Sequence, residues 1–141
     1  MSSSIRIILA LLTGLVVGGV VNMALVMVGP SVIPPPPGVD MTTTEGLQVS
    51  MGLLEPRHFI MPFLAHALGT LVGAMAGALI AIERRALVAY VIGLVFLCGG
   101  VAACFMIPAP MWFMVLDLLA AYIPMAWIGL NLALRVKPGA S

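Results

Sequence analysis

Four long apolar segments dominate this sequence, and they leave few folds open to it. Each is long enough, at about 1.5 Å of helical rise per residue, to cross a hydrocarbon core of about 30 Å. Helices satisfy their backbone polar groups internally, whereas strands of this length would need a closed barrel. The predicted spans are Ile5–Val28, Phe59–Ile82, Leu87–Ile107 and Met111–Leu134.

The composition supports a membrane setting. Charged residues make up 8% of the 141-residue chain and apolar residues 62%. Because soluble domains carry about 25% charged residues, this chain cannot cover its surface for water, and its apolar side chains are expected to face lipid. The formal net charge of +1 argues against nucleic acid, which requires a basic face. We predict an all-α integral membrane protein, with residues 1–141 forming one transmembrane domain, a four-helix bundle.

Basic residues are distributed unequally between the two ends of the predicted spans. One end carries Arg6, Arg84, Arg85, Arg135 and Lys137. The other end carries Arg57 together with Asp40, Glu45 and Glu55. Because segments rich in Lys and Arg stay in the cytoplasm, both termini are predicted to be cytoplasmic. The connection over residues 29–58 is then extracytoplasmic.

This connection is predicted to contain a stiff segment, a turn and a short helix. Pro34–Pro37 favours a polyproline II conformation, and Gly38-Val39-Asp40 is typical of a turn. Thr42 and Glu45 have the spacing of a capping box, which would begin a helix.

The helix that follows would be amphipathic. It would carry Leu47, Met51 and Leu54 on one stripe. Such a helix is expected to lie at the membrane interface or to cap the bundle. His58, next to Arg57, is expected to make a hydrated contact with lipid headgroups.

Small residues recur on faces of the first two spans. Gly69, Gly73 and Gly77 follow one another at four-residue spacing in the second span, and Gly14 and Gly18 do so in the first. Helices in lipid associate through such small residues because their backbones can approach closely. The pattern predicts a tight helix–helix contact, either within the chain or between copies.

Three polar residues lie on these packing faces at a similar depth. Asn22, His66 and Asp117 each fall about 7–12 Å inside the predicted outer helix ends, at 1.5 Å per residue. An ionised Asp there costs about 2.5–3.5 kcal/mol on insertion scales, so Asp117 should be paired, and His66 is its natural partner.

Two interpretations of this polar cluster stay open. It is a proton relay or the polar constriction of a substrate or ion path, or it is a hydrogen-bonded knot that fixes helix register. A knot would contribute only about 0.6 kcal/mol per contact.

Pro124 lies in the middle of the fourth span. It lacks a backbone donor and leaves the carbonyl of Ala120 without its helical partner, which predicts a kink.

The two halves of the chain share short similarities. Gly18-Gly19-Val20 resembles Gly99-Gly100-Val101, and Met61-Pro62-Phe63 resembles Met111-Trp112-Phe113. A duplication of two helical hairpins would produce this pattern, as in transporters with parallel repeats. Chance repetition in apolar sequence is the alternative explanation.

Metal binding and enzymatic chemistry have weaker signals. Met23, Met27 and Cys104 approach the same depth, and thioether and thiolate ligands suit Cu(I), although packing is the commoner use of Met. No metal or other cofactor is predicted. The sequence contains no enzyme motif, and Cys104 with His66 is its only conceivable pair of nucleophile and base.

Four segments carry a resemblance that extends over most of the chain. They are Asn22-Met23, the stretch 35–40, the stretch 58–70 and the stretch 112–127. Together they resemble a group of small bacterial four-span membrane proteins of about this length. The resemblance implies a multi-pass protein of the bacterial cell (inner) membrane, and it implies no catalytic or binding residue.

Two hypotheses about function follow. The first is a small transporter or channel-like protein, forming a homo-oligomer, in which Asn22, His66 and Asp117 line a polar, hydrated cavity under the proline-rich connection. The second is a non-catalytic accessory or assembly subunit of a membrane complex. Its interior would be tightly packed, and its glycine face would dock a partner membrane protein or a second copy. An intramembrane enzyme is the third class.

Overall fold

The computed structural model describes residues 2–136, and its ordered elements are helices. They are α1 (Ser3–Val32), α2 (Thr44–Ser50), α3 (Ile60–Ile80), α4 (Arg85–Met106), α5 (Met111–Ala120) and α6 (Ile123–Val136). Two 3-10 turns, Met51–Leu53 and Pro56–Phe59, lie between α2 and α3. The described part of the chain is therefore all-α.

Four helical stretches are long and apolar enough to cross a membrane, and each contains most of one predicted span. They are Ser3–Val32, Pro56–Ile80, Arg85–Met106 and Met111–Val136. The first continues past its predicted end because Pro30 falls in the last turn, where the missing N–H removes only one helical hydrogen bond. These findings support a multi-pass membrane protein.

The connections define two ends of the molecule. We call the end with residues 33–59 and 107–110 the loop end, and the end with residues 81–84 the turn end. At the turn end, the Ser3 hydroxyl donates to Oε2 of Glu83 at 3.0 Å, and Leu134 of α6 lies beside Glu83 around a shallow pocket. The start of α1 and the end of α6 therefore both lie at the turn end. Lys137, which the charge prediction includes, lies outside the described residues.

α1 and α3 pack backbone to backbone through the glycines singled out in the sequence. A Cβ added to Gly18 would lie 2.6 Å from the carbonyl oxygen of Gly69. One added to Gly73 would lie 2.7 Å from the carbonyl oxygen of Gly14. Contacts this close exclude any side chain, so the tight contact expected from the spacing lies within the chain.

α3 is the central helix, and it contacts α1, α4 and α6. Toward the turn end its small residues meet larger ones from α4: a Cβ on Gly77 would lie 2.5 Å from Cδ1 of Ile92. The completely buried side chains in this region include Ala74, Ala78, Val88, Ile92 and Ala126. The interior of the half of the molecule near the turn end is therefore tightly packed.

The fourth stretch is interrupted at Ala121 and Tyr122, which separate α5 from α6. Pro124 cannot donate to the carbonyl of Ala120, so one helical hydrogen bond is missing there. The last bond before the gap runs from the Ala121 amide to the Asp117 carbonyl at 2.9 Å. Where the sequence predicts a kink, the structure has a break.

The helix at the loop end begins one residue later than predicted. The Thr43 hydroxyl caps α2 by accepting from the Gly46 amide at 3.0 Å. Thr42 instead donates its amide and its hydroxyl to Oδ1 of Asp40, at 2.7 and 2.6 Å. The predicted capping box of Thr42 and Glu45 is wrong because Asp40 binds Thr42. Hydrogen bonds from Thr42, and one from Thr43, lower the pKa of the Asp40 carboxyl.

His58 holds the two ends of the connection at the loop end together. Its Nδ1 accepts from the Glu55 amide at 2.9 Å, and its Nε2 lies 3.2 Å from the Pro34 carbonyl. These partners assign the proton to Nε2. The prediction of a hydrated headgroup contact is wrong, because His58 is only 3% exposed. The Gln48 amide adds a second attachment by donating to the Met106 carbonyl at 2.8 Å.

Replacing His58 with alanine is expected to loosen this connection. The substitution leaves the Glu55 amide and the Pro34 carbonyl without their partner, which costs about 1–3 kcal/mol of local stability. Amide hydrogen exchange over residues 44–55 should accelerate accordingly. Arg57→Ala is the control, since the exposed Arg57–Glu55 ion pair at 2.9 Å contributes about 0–1 kcal/mol. Equal exchange in the two variants would contradict the attachment.

Candidate functional site

An imidazole and a carboxylate from different helices meet inside the protein. Nδ1 of His66, on α3, lies 2.9 Å from both carboxyl oxygens of Asp117, on α5. Asp117 is only 4% exposed, whereas a quarter of the His66 side chain is exposed. The Thr70 hydroxyl donates to the His66 carbonyl at 2.8 Å, one turn along the same helix. The structure thus places a buried, titratable pair between α3 and α5.

Tyr122 is a third member of this site. Its hydroxyl donates to Oδ2 of Asp117 at 2.9 Å, and its ring stacks on the His66 ring with centroids 5.8 Å apart. Tyr122 is 2% exposed and lies at the helix break. Sequence reasoning missed this role, because in an unbroken helix Tyr122 would lie about 140° around the axis from Asp117. Pro124, two residues later, was the available signal.

Gly100 of α4 makes room for the Tyr122 hydroxyl. A Cβ added to Gly100 would overlap the hydroxyl oxygen of Tyr122, whereas one added to the neighbouring Gly99 would meet nothing within 4 Å. Because Gly100 has no side chain, α4 can pack directly against the Tyr122 hydroxyl where it bonds Asp117. In the proposed duplication Gly18 and Gly19 correspond to Gly99 and Gly100. In α1 the tightly packed residue is Gly18, the first of its pair, but in α4 it is Gly100, the second of its pair.

The net charge of the His66–Asp117 pair depends on whether Nε2 of His66 carries a proton. The hydrogen-bond partners indicate where the protons lie. With one proton shared between Nδ1 and the carboxylate, the pair carries a net charge of about −1 and Nε2 of His66 is an acceptor. A second proton on Nε2 makes the pair neutral. No residue in the described part of the chain forms a hydrogen bond with Nε2.

The pair lies in the wall of a cavity at the loop end. The cavity has a volume of about 210 Å³ and lies between α1, α3, α4 and α5, under the connection that contains α2. The predicted stripe of Leu47, Met51 and Leu54 lines it. His58 and Cys104 add polar atoms, and the remaining wall is apolar. Among residues 2–136, no Lys or Arg lines the cavity.

Asn22 lies apart from this pair. It is in α1 and packs against α3, where a Cβ on Gly69 would lie 2.9 Å from the Asn22 Cβ. Its Oδ1 is buried and has no hydrogen-bond partner among the described residues. Asn22 does not line the cavity and does not bond His66 or Asp117. The residues expected to form one cluster are therefore a bonded pair and a separate asparagine.

The residues considered for Cu(I) are not brought together around the cavity. Met23 and Met27 are exposed on α1 and do not line it, whereas Cys104 does. The described residues contain no group of three His, Cys, Asp or Glu side chains arranged to hold a metal ion. Cys104 shares the cavity wall with His66 but forms no hydrogen bond with it, so the arrangement of a nucleophile with its base is not present.

Comparison of this chain with known protein families, curated proteins and solved structures found no match. The geometry of the cavity and of the His66–Asp117 pair is therefore the guide to function.

Proposed function

We propose that this protein is a small membrane transporter that binds its substrate in the loop-end cavity. One observation supports this proposal above all: the His66–Asp117 pair lies in the cavity wall, and Nε2 of His66 has no hydrogen-bond partner among residues 2–136. Ionisable groups at membrane depth are costly and mark proton relays and substrate paths. If the pair served only to fix helix register, an uncharged Asn at position 117 would suffice.

The cavity supports a transporter rather than an open channel. Toward the turn end it is closed by Tyr122 and by the completely buried Ala74, Ala78 and Ile92. A substrate that enters at the loop end can therefore cross only if the helices rearrange, as in alternating access. The break at Ala121 and Tyr122 offers a place for such a change, since the helical ladder is already interrupted there.

The proposed setting is a bacterial cell (inner) membrane with the loop end extracytoplasmic. The turn end carries four of the described basic residues: Arg6, Arg84, Arg85 and Arg135. By the positive-inside rule this end, and with it both termini, belongs in the cytoplasm. The cavity would then take up substrate from the extracytoplasmic side.

The alternative, an accessory subunit that docks through its glycine face, has less support. Gly14, Gly18, Gly69 and Gly73 meet one another within the chain, and Gly77 meets Ile92. No glycine of this stripe is left for a partner helix. The large apolar side chains exposed on α1 suit lipid as well as they suit a second copy, so self-association stays a prediction.

Transport is tested in proteoliposomes with aromatic solutes that do not cross lipid unaided. Benzamidinium, benzenesulfonate and a phenyl glucoside supply one cation with N–H donors, one anion and one neutral compound. We expect labelled uptake of at least one solute to depend on an imposed pH gradient. His66→Ala and Asp117→Asn should each lower that uptake about tenfold or more, because one proton-transferring group typically contributes 10²–10⁴-fold where it acts directly.

Gly99→Ala is the matched control, because a methyl group there meets no atom. It should transport as the unmodified protein does. Uptake no greater than in protein-free liposomes for all three solutes, or unchanged uptake in both site variants, would contradict a transporter.

A further inference from the structure

The charges around the loop-end cavity are unbalanced. Asp117 is the one carboxylate among the lining residues in the described part of the chain, and no Lys or Arg faces it there. The titratable groups around His66 are Asp117 from α5, Tyr122 from the break, Cys104 from α4 and His58 from the turn before α3. The segment of α1 in the wall contributes no titratable group. In its one-proton state the pair therefore leaves a net negative charge beside an apolar cavity.

One positive charge at Nε2 would balance this site. His58 cannot supply it, because both of its ring nitrogens already contact the backbone of Glu55 and Pro34. An uncompensated charge in an apolar environment costs several kcal/mol, so the site should favour whatever cation reaches it. A proton on Nε2 of His66 and the N–H of a protonated amine would occupy the same position. They therefore exclude each other.

The apolar side chains of the cavity wall indicate what the uncharged part of the ligand should be. Phe59 and Phe113 are buried with ring centroids 4.8 Å apart, and both line the cavity together with Met51, Met61 and Met114. Aromatic faces attract cations, and Met adapts to apolar groups of varied shape. Since a cavity of about 150 Å³ can hold benzene, the volume of about 210 Å³ suits a body the size of one ring.

The connection at the loop end has a surplus of negative charge. The connection at the loop end carries Asp40, Glu45 and Glu55, and its one cation, Arg57, is paired with Glu55 at 2.9 Å. Hydrogen bonds from Thr42 lower the pKa of Asp40 and keep it ionised. A surplus of negative charge on the segment that covers a cavity favours the approach of cations over anions.

We infer that the cavity binds a small organic cation, a protonated amine with an apolar body of about one ring, in competition with a proton at His66. The inference rests on the proposed function because it takes the cavity as the substrate site. Binding of the amine forms a hydrogen bond from its N–H to Nε2 of His66. Any proton that occupied Nε2 leaves for solvent.

Three ligands that share one ring and differ in charge test this selectivity. Benzylamine, benzyl alcohol and benzoate are titrated into the protein in nanodiscs, with empty nanodiscs as the blank. We expect benzylamine to bind at least about tenfold more tightly than benzyl alcohol, which corresponds to about 1.4 kcal/mol. Benzoate should bind most weakly. Asp117→Asn should abolish the preference for the amine and leave the affinity for the alcohol within about twofold.

Glu45→Gln is the matched control, since it removes an equal charge from an exposed position of the loop end. At physiological salt its effect on benzylamine should stay within about twofold, because exposed charges are screened over about 8 Å.

The unmodified protein gives a second test that does not depend on the folding of a variant. Because a proton and the amine compete for Nε2, the affinity for benzylamine should fall as the pH is lowered far enough to protonate that nitrogen. Binding at a pH where Nε2 carries a proton should release up to about one proton. Calorimetry in buffers of different ionisation enthalpy measures this release.

Equal affinity for the amine and the alcohol, preference for benzoate, or amine binding without proton release would overturn the inference. These failures differ from a failure of transport. Selective amine binding without uptake in proteoliposomes would contradict the transporter and leave the cation site standing. Uptake confined to benzenesulfonate or the glucoside would contradict the cation site and leave the transporter standing.

Discussion

Replacing Gly18 with leucine is expected to separate α1 from α3 and to lower the free energy of unfolding by about 3 kcal/mol. The first carbon of the new side chain would lie 2.6 Å from the carbonyl oxygen of Gly69 and 2.9 Å from ring atoms of Phe96. A backbone carbonyl cannot rotate away without displacing its helix. The cost should therefore fall at the upper end of what overpacking causes.

Gly19→Leu provides the control in the neighbouring position of the same helix. A Cβ on Gly19 meets no atom within 4 Å, so leucine there should change stability by no more than about 0.5 kcal/mol. Both substitutions raise helix propensity equally, which isolates the effect of the contact. Unfolding in mixed micelles, followed by circular dichroism, compares them. Similar unfolding midpoints for the two variants would show that α1 does not pack on α3 through Gly18.

The helices of this protein were predictable because lipid permits so few alternatives. A long apolar segment in a bilayer must be helical, and four such segments account for the four long stretches in the structure. The spacing of Gly69, Gly73 and Gly77 also predicted a close contact. It could not identify the partner helix, because Gly14 and Gly18 offer the same spacing whether they belong to this chain or to another copy.

The candidate site was predictable only where each residue's helix is regular. His66 lies on the glycine-bearing face of α3 and was predicted at the depth of Asp117, so their pairing could be expected from helical geometry together with the cost of an unpaired acid. Asn22 has the same depth, but depth does not fix which neighbour a residue meets, and Asn22 faces Gly69. The contact between Tyr122 and Asp117 depends on the helix break. Helical periodicity in the sequence does not predict where a side chain points after such a break.

The loop end shows a further limit of sequence reasoning. Exposure of His58 was inferred from its charged neighbour Arg57, yet His58 is buried and Arg57 is not. Consecutive residues in a 3-10 turn point in different directions, and what covers them is set by residues distant in sequence. Here the carbonyl of Pro34, on the far side of the connection, decides the environment of His58.

Valine at position 100 is expected to disrupt the candidate site from α4. Its Cβ would overlap the Tyr122 hydroxyl, so Tyr122 must leave Asp117, which then loses one of its hydrogen-bond donors. We expect a loss of stability of about 1–3 kcal/mol and a fall of about tenfold or more in affinity for benzylamine. Gly99→Val places the same side chain in open space and should preserve both quantities.

The two measurements separate the possible roles of Tyr122. If Gly100→Val lowers stability but leaves benzylamine affinity and its pH dependence unchanged, Tyr122 only packs the helix break. Because Gly100 itself lines the cavity, a valine that only fills space would weaken benzylamine and benzyl alcohol alike. If benzylamine alone binds more weakly and its proton release falls, Tyr122 positions the carboxylate that charges His66. Equal behaviour of the Gly100 and Gly99 variants would contradict the contact itself. The hydroxyl of Tyr122 is a positioning group in our proposal, because it acts on the ligand only through Asp117.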